Sequence, residues 1–449
     1  MLKELFMVEI QDLIKQKNWR LLKETLSGWP APDIAELLES LELEERVIAF
    51  RLLSPQLAAD VFSEFDIDKQ VGLLYQLSNE HIREIISGLD PDDRTGLFEE
   101  LPGRITQRFL NLLSPEDRKD SLKLLGYPEN SMGRLMTSEY VIARPGWSIE
   151  EALKHIRRCG SDAETVNVIY VVDEAWHLID DIPLRRLILA DPQQKVEEVM
   201  DRRAVSISVF EDQEEAIKIM KHYNLVALPV VDSENILLGI VTIDDIIDVL
   251  EDEVTEDFHK EAGVIPLGLS YSATSPPVFY RKRIVWLSFL VLAGFLSGSI
   301  IGLFEKVLAE VIGLAIFIPV LIGTGGNTAT QSSTLIIRAL ATGDLTVKKW
   351  ASIIKKEMFV GILLGVSLGL IFFLGGFFWK GIPMLGLAVG ISAVMIVFWA
   401  NLVGSFLPII LTRLKLDPAV VSTPLLSTML DVTGLLIYFS MAKWLFEHS

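Results

Sequence analysis

The chain has a single cysteine, Cys159, among its 449 residues, so it can form no internal disulfide, which suits a reducing cytosol. It lacks a P-loop and a phosphorylation motif, and an ATP-driven pump is therefore not expected. His-x-x-x-His, Gly-x-Ser-x-Gly and paired catalytic acids are missing from its long apolar segments, so an intramembrane enzyme is not expected either. Positive charge is scarce in residues 1–280, with 28 Lys and Arg against 53 Asp and Glu; residues 281–449 carry 13 against 7. So acidic a body repels nucleic acid, which is excluded as a partner, and attracts cations. Met1–Trp19 has no uncharged core. It interleaves Lys3, Glu4, Glu9, Asp12, Lys15 and Lys17 with apolar residues at helical spacing, so no signal peptide is expected there.

Residues 1–130 read as short amphipathic helices. Leu53-Ser54-Pro55, Leu89-Asp90-Pro91 and Leu113-Ser114-Pro115 each place a capping residue before a proline, which is a helix-start signal. A winding, all-α superhelical stack follows, with no catalytic constellation. From residue 131 the period changes. Asn167–Val172 and Ala227–Val231 are β-rich runs, each followed by an Asp at a turn, Asp173 or Asp232, then a second short strand and a helix. This internal repeat of about 60 residues, 131–192 and 193–252, resembles a tandem pair of cystathionine-β-synthase (CBS) domains of α/β fold. The first half departs from the CBS pattern. Asp180-Asp181 replaces a Gly-Val turn, and Arg186 stands where nucleotide-binding CBS domains have an Asp, which weighs against nucleotide binding.

Residues 244–257 hold eight acids and no base on a helical apolar pattern. Asp245, Asp248 and Asp252 share one face, and like charges so spaced destabilise a helix unless a cation joins them. An exposed linker helix is the alternative. Residues 245–280 connect this acidic segment to the membrane part.

Five apolar stretches are each long enough to span a bilayer: Ile284–Phe304, Val311–Leu340, Phe359–Trp379, Pro383–Leu411 and Val420–Ala442. Arg281, Lys282, Arg283, Arg338, Lys348, Lys349, Lys355, Lys356, Arg413 and Lys415 flank one side, against Lys306, Lys380 and Lys443 on the other. The excess of positive charge makes the first side cytosolic, with the acidic body inside and the C-terminus outside. Asp431 stands alone in the last span, where a carboxylate costs roughly 2.5–3.5 kcal/mol unless it faces protein or water. It is either an ion-path residue or a packing residue bonded to Thr433 or Thr428. The second span carries Pro319 and then Gly323-Thr324-Gly325-Gly326-Asn327, followed by Gln331 and five further hydroxyl residues; such a segment packs on protein or lines water. Asn327, Gln331, Asn401 of the fourth span and Ser427 are candidate pore-lining groups. Asp417 lies at the cytosolic mouth, about 21 Å from Asp431 along an ideal helix.

The order of these parts, with Gly323-Thr324-Gly325-Gly326-Asn327, Ala400-Asn401-Leu402-Val403-Gly404 and Asp417-Pro418 followed by Asp431-Val432-Thr433-Gly434, resembles the MgtE magnesium channels over essentially the whole chain. The resemblance implies a multidomain protein: a helical N domain (1–130), a CBS pair (131–252), an acidic connecting helix (245–280) and a five-helix transmembrane domain (281–449). It also implies a homodimer in membrane lipid, with its pore on the twofold axis and both Asp431 carboxylates facing one hydrated Mg²⁺. Co²⁺, Mn²⁺ and Ni²⁺ are further candidate ions. Cytosolic Mg²⁺ sites are implied at Asp92, Glu214, Asp245, Asp248, Glu253, Glu256 and Asp257, with Asp60 and Asp212 beside them. Asn224, Gly96 and Thr423 depart from the family's usual residues. A carrier coupled to Na⁺ or H⁺, with a nucleotide-sensing CBS module, is the rival reading.

Overall fold

The computed structural model describes residues 2–161, 163–267, 271, 274–342, 344–345, 349–380, 382–418 and 423–448, the backbone only for 2–8, 379 and 380. Lys348, Val420, Ser422 and the side chain of Lys380 therefore lie outside the described residues. The chain divides into two compact units, Met1–Glu253 and Val254–Ser449.

The first unit opens with helices α1 to α10 between Leu2 and Leu124. The proline punctuation starts helices where expected: α5 (Pro55–Ser63), α8 (Pro91–Glu100) and α10 (Pro115–Leu124) each have Pro in the first turn. Pro fits there because the first-turn N–H has no partner within the helix. Apolar residues from Ile10 to Leu113 form one continuous core along the stack.

The CBS pair repeats one topology twice. β1 (Tyr140–Ala143) runs parallel to β2 (Thr165–Val172), which is antiparallel to β3 (Leu178–Pro183). β4 (Ile207–Ser208), β5 (Ala227–Val231) and β6 (Leu237–Thr242) follow the same pattern. Helices α11 (Met132–Leu135) to α15 (Gln213–Tyr223) cover these sheets. The two turns are built alike. Asp173 Oδ1 accepts the N–H groups of Ala175 and His177, and Asp232 Oδ1 those of Glu234 and Ile236. The third residue after each Asp, Trp176 or Asn235, has a left-handed φ of 69° or 64°. The halves then bond to each other, Leu237 N–H to the Trp176 carbonyl and Leu178 N–H to that of Asn235. The departures of the first half have structural roles. Fully buried Asp180 accepts N–H groups from Asp201 and Arg203 at 2.8 and 3.3 Å, and Arg186 pairs with Asp201 at 3.4 Å.

α16 (Ile243–Glu261) is one continuous helix of 19 residues. Thr242 and Asp245 close its first turn, with Asp245 Oδ2 accepting the Thr242 hydroxyl at 2.8 Å and its N–H at 3.3 Å.

Among the described residues of the second unit, five helices are long and apolar enough to cross a membrane: α17 (Pro276–Leu303), α19 (Gly313–Ala341), α20 (Trp350–Lys380), α21 (Pro383–Arg413) and α22 (Thr423–Glu447). A short α18 (Glu305–Glu310) joins the first two. α17 and α20 begin eight or nine residues before their apolar stretches, because backbone hydrogen bonding continues through the charged interface while hydropathy registers only the hydrocarbon-facing part. Small residues bring α19, α21 and α22 together. Gly325 faces Ile396, Gly326 lies against Ser427, and Gly434 against Ile322. The closest approach is at Gly404, where a methyl group would meet the Ala329 carbonyl oxygen at 2.4 Å and its Cα at 2.8 Å. Backbone cannot yield as a flexible side chain does. Gly404→Ala should therefore cost about 1–3 kcal/mol and lower the unfolding temperature in detergent. Gly298→Ala, with open space around it, should leave that temperature unchanged.

Candidate cation path and cytosolic acid cluster

The polar stretch of α19 is divided between two faces. Gly325, Gly326, Thr328, Ala329, Ser332 and Ser333 are buried against neighbouring helices. Asn327 and Gln331, one turn apart, project from an exposed face. Exposed amides at bilayer depth need water or a protein partner. The packing reading describes the buried side of this helix, and the candidate lining residues Asn327 and Gln331 stand on its other side.

Asp431 is half-buried on α22, and among the described residues no donor reaches its carboxylate. The two threonines that could have satisfied it are committed elsewhere. Thr433 donates to the Met429 carbonyl at 3.0 Å and accepts from Trp399 Nε1, while Thr428 donates to the Pro424 carbonyl at 2.9 Å.

Asn401 is buried, with only 3% of its surface exposed. Its Nδ2 donates to the Glu357 backbone carbonyl at 2.8 Å and to Glu357 Oε2 at 3.1 Å, and its Oδ1 accepts from Ser332 at 2.7 Å. Ser405 donates to the Asn401 carbonyl at 2.6 Å. Asn401 thus ties α19, α20 and α21 together, using an acid the sequence reading did not single out.

A second group of acids gathers in the first unit, where α8, the approach to β2 and the start of α16 meet. Asp92 is 9% exposed, and its Oδ1 is buried without a hydrogen-bond partner. Burial, then repulsion from Asp245, Asp93 and Glu164, holds its carboxyl well above the usual range. Partial loss of water, then the charges of Asp90, Asp245, Glu64 and Asp244, pushes Asp93 up to about 7, although its side chain is exposed at the surface of the cluster. Burial, followed by Asp90, Asp245, Asp244 and Asp93, also raises Glu164 to about 7. Asp245 is raised to about 6 by burial, against the lowering effect of its bond from Thr242. Asp248 is raised by burial and by Glu251 and Asp244. All the donors are carboxylate oxygens, which suit a hard, hydrated divalent ion. Among the described residues no three acids converge into a chelating set.

The other predicted ligands are placed separately. Asp60 accepts from Gln56 and adds its charge to Asp90. Asp212 caps α15 by accepting the Glu214 N–H, and Glu253 accepts from Gln213. Glu256 pairs with Lys260, whose ammonium also lies 2.7 Å from Asp417 Oδ2. Partial burial alone would lower Lys260, but its bonds to Asp417 and Glu256 hold it above the ordinary range. Asp257 is half-buried on the same turn.

The pattern of MgtE divalent cation transporters matches residues 318–441, that of the MgtE intracellular N domain residues 29–130, and that of a CBS domain residues 196–252. The magnesium transporter MgtE of Thermus thermophilus is 44% identical over 99% of this chain and 100% of its own length. This chain belongs to the MgtE family of magnesium transporters. The Bacillus subtilis magnesium transporter MgtE is 36% identical over 73% of this chain and 72% of its own. A crystal structure of the cytosolic domain of the Mg²⁺ channel MgtE in complex with ATP superposes with a TM-score of 0.53 at 37% identity. It covers 54% of this chain and 99% of that one. The protein is therefore a multi-pass membrane protein with soluble N-terminal domains.

Within the MgtE family pattern, the three departures have local explanations. Asn224 ends α15 in a left-handed conformation with φ 53°, which asparagine tolerates well. Gly96 faces open space on α8, and Thr423 lies on α22 one residue before Pro424. The sequence reading takes Asp90 as a helix cap, Asp92 as an implied Mg²⁺ residue and Asp244 as part of the acidic run 244–257, but names neither Asp93 nor Glu164; Glu164 carries no sequence signal.

Acids raised in the compact arrangement bind protons more tightly there than when the elements separate. Without a divalent ion, that arrangement should strengthen as pH falls from 8 through 7 to 6, and weaken as pH rises through the same window. Amide exchange of α8 in the full-length protein should slow several-fold from pH 8 to pH 6 without Mg²⁺, after correction for intrinsic exchange. With Mg²⁺ present it should vary little. Equal pH dependence in both conditions would remove the cluster from this role.

Proposed function

We propose that this transporter conducts Mg²⁺ into the cytosol down its electrochemical gradient as a homodimer. In this reading the two Asp431 carboxylates face one hydrated ion across the twofold axis. The observation that carries it is the Asp431 carboxylate, without a donor among the described residues, on a helix packed against the one that bears Asn327 and Gln331. A second copy would turn the exposed amides and the half-buried acid into one water-filled lining. Mg²⁺ keeps most of its waters and binds through one or two carboxylates, which such a site supplies. Two charges moving inward across about 100 mV gain roughly 4.6 kcal/mol, so no ATP is needed. The C-terminus then lies outside.

Cytosolic Mg²⁺ closes the path. The acids around Asp92, Asp93, Glu164 and Asp245 repel one another, and a divalent ion among them offsets that repulsion and favours the compact arrangement. A shift from 1:99 to 99:1 needs about 5.5 kcal/mol of differential binding, a sum that several weak sites can reach together. In proteoliposomes, Asp431→Ala should lower Mg²⁺ uptake at least tenfold without changing the elution of the purified protein. Asp92→Asn with Asp245→Asn should move half-closure to several-fold higher internal Mg²⁺. Undiminished uptake by Asp431→Ala would end the conduction reading; unchanged closure in the double variant would end the gating one.

The cytosolic domain of a similar Mg²⁺ channel was solved in complex with ATP, and we propose as one addition that a nucleotide binds the CBS pair here. Arg185, Arg186 and Gln194 line an open groove of about 410 Å³, roomy enough for a nucleotide, with two guanidinium groups to meet phosphates. Arg185→Ala with Arg186→Ala should weaken ATP binding at least fivefold by calorimetry on the full-length protein. Unaltered binding would exclude this groove.

A further inference from the structure

The end of α16 carries a positive charge set directly on a predicted ion-path acid. Lys260 Nζ lies 2.7 Å from Asp417 Oδ2, and Glu256, one turn earlier on the same helix, pairs with the same ammonium. One cation is therefore held between two carboxylates that sequence reasoning had assigned to a divalent ion. The placement is rigidly supported. Glu261 Oε1 accepts the Thr334 hydroxyl of α19 at 2.6 Å. Gly263 turns the chain with φ +70°, and a methyl group there would meet the Trp286 indole at 2.3 Å. The Gly263 N–H returns to the Lys260 carbonyl at 2.9 Å, and the Val264 N–H to that of His259 at 2.8 Å. The last turn of a helix is also where its dipole favours a positive side chain.

We propose that Lys260 is a specificity-determining residue, a tethered cation that holds the Asp417 carboxylate against Na⁺ and K⁺ and yields it only to a divalent ion. This rests on reading Asp417 as a mouth acid of the Mg²⁺ path. A tethered group has an effective concentration in the millimolar range or above, so it competes with free monovalent ions of the same charge on at least equal terms. A divalent ion has twice the Coulomb attraction to each carboxylate at equal distance, and can satisfy Asp417 and Glu256 together. It can also act through its bound water, without stripping its hydration shell. The ammonium thus sets a threshold of charge rather than of size.

The test uses full-length protein in liposomes, with Mg²⁺ uptake and Na⁺ uptake in Mg²⁺-free buffer measured separately. Wild type should carry Mg²⁺ and exclude Na⁺. Lys260→Gln and Lys260→Met should each raise Na⁺ uptake at least fivefold while keeping Mg²⁺ uptake within about twofold, and Lys260→Arg should behave as wild type. Adding Asp417→Asn to Lys260→Gln should abolish the gain in Na⁺ uptake, because the attracting carboxylate is gone. Neutral variants that fold and exclude Na⁺ as well as wild type overturn the proposal while leaving Mg²⁺ conduction intact. Loss of folded protein in both neutral variants overturns it in favour of a purely structural ion pair. Absence of Mg²⁺ uptake by wild type itself overturns the mouth reading, and this proposal with it.

Discussion

A carboxylate withdrawn from water needs either a cation or several hydrogen-bond donors, and in this chain the Asp431 carboxylate and Asp92 Oδ1 receive neither from the described residues. Asp431 has neither within its span. Asp92 points a buried oxygen at no donor, among acids that raise one another. Elsewhere the same chain answers its acids: buried Asp180 takes two backbone N–H groups, and the half-buried Glu357 carboxylate accepts from Asn401 Nδ2 and the Ser332 hydroxyl. The contrast separates acids answered within the fold from those on which the proposed ion sites rest.

Helix packing creates the first of these situations. Gly325, Gly326, Gly404 and Gly434 remove side chains where α19, α21 and α22 meet, so the helices approach closely on that side. The larger polar groups of α19, Asn327 and Gln331, are then left on the other side. A network of Ser332, Asn401, Ser405 and Glu357 holds this arrangement. In the first unit the acids are crowded by a different cause. Proline-started α8 and the threonine-capped start of α16 both present Asp residues from their first turns. The favourable interaction of each acid with its own helix N-terminus partly compensates for their proximity.

Much of the fold was legible in the sequence. Five apolar stretches, the 60-residue repeat, the Asp turns and the Ser/Asp-Pro helix starts are local patterns, and each reappears at its expected place. The candidate sites were legible only in part. Asp431 was conspicuous because charge is rare in a span. Glu164 was invisible because one acid in an acidic body carries no pattern. Asn401, read as a lining group, is enclosed by Glu357 and Ser332, since sequence marks a residue as polar without saying which neighbour answers it. Lys260 was passed over for a similar reason: its partner Asp417 is 157 positions away.

The order of residues by itself determined where helices begin, which segments enter a bilayer, how the repeat is built and that the soluble half is acidic. These follow from local hydrogen bonding, hydropathy and net charge, all of which act over a few neighbours. Only the tertiary structure decided which acids are answered and which are not. Charge compensation depends on distance in space, and the partners that supply it come from helices far apart along the chain.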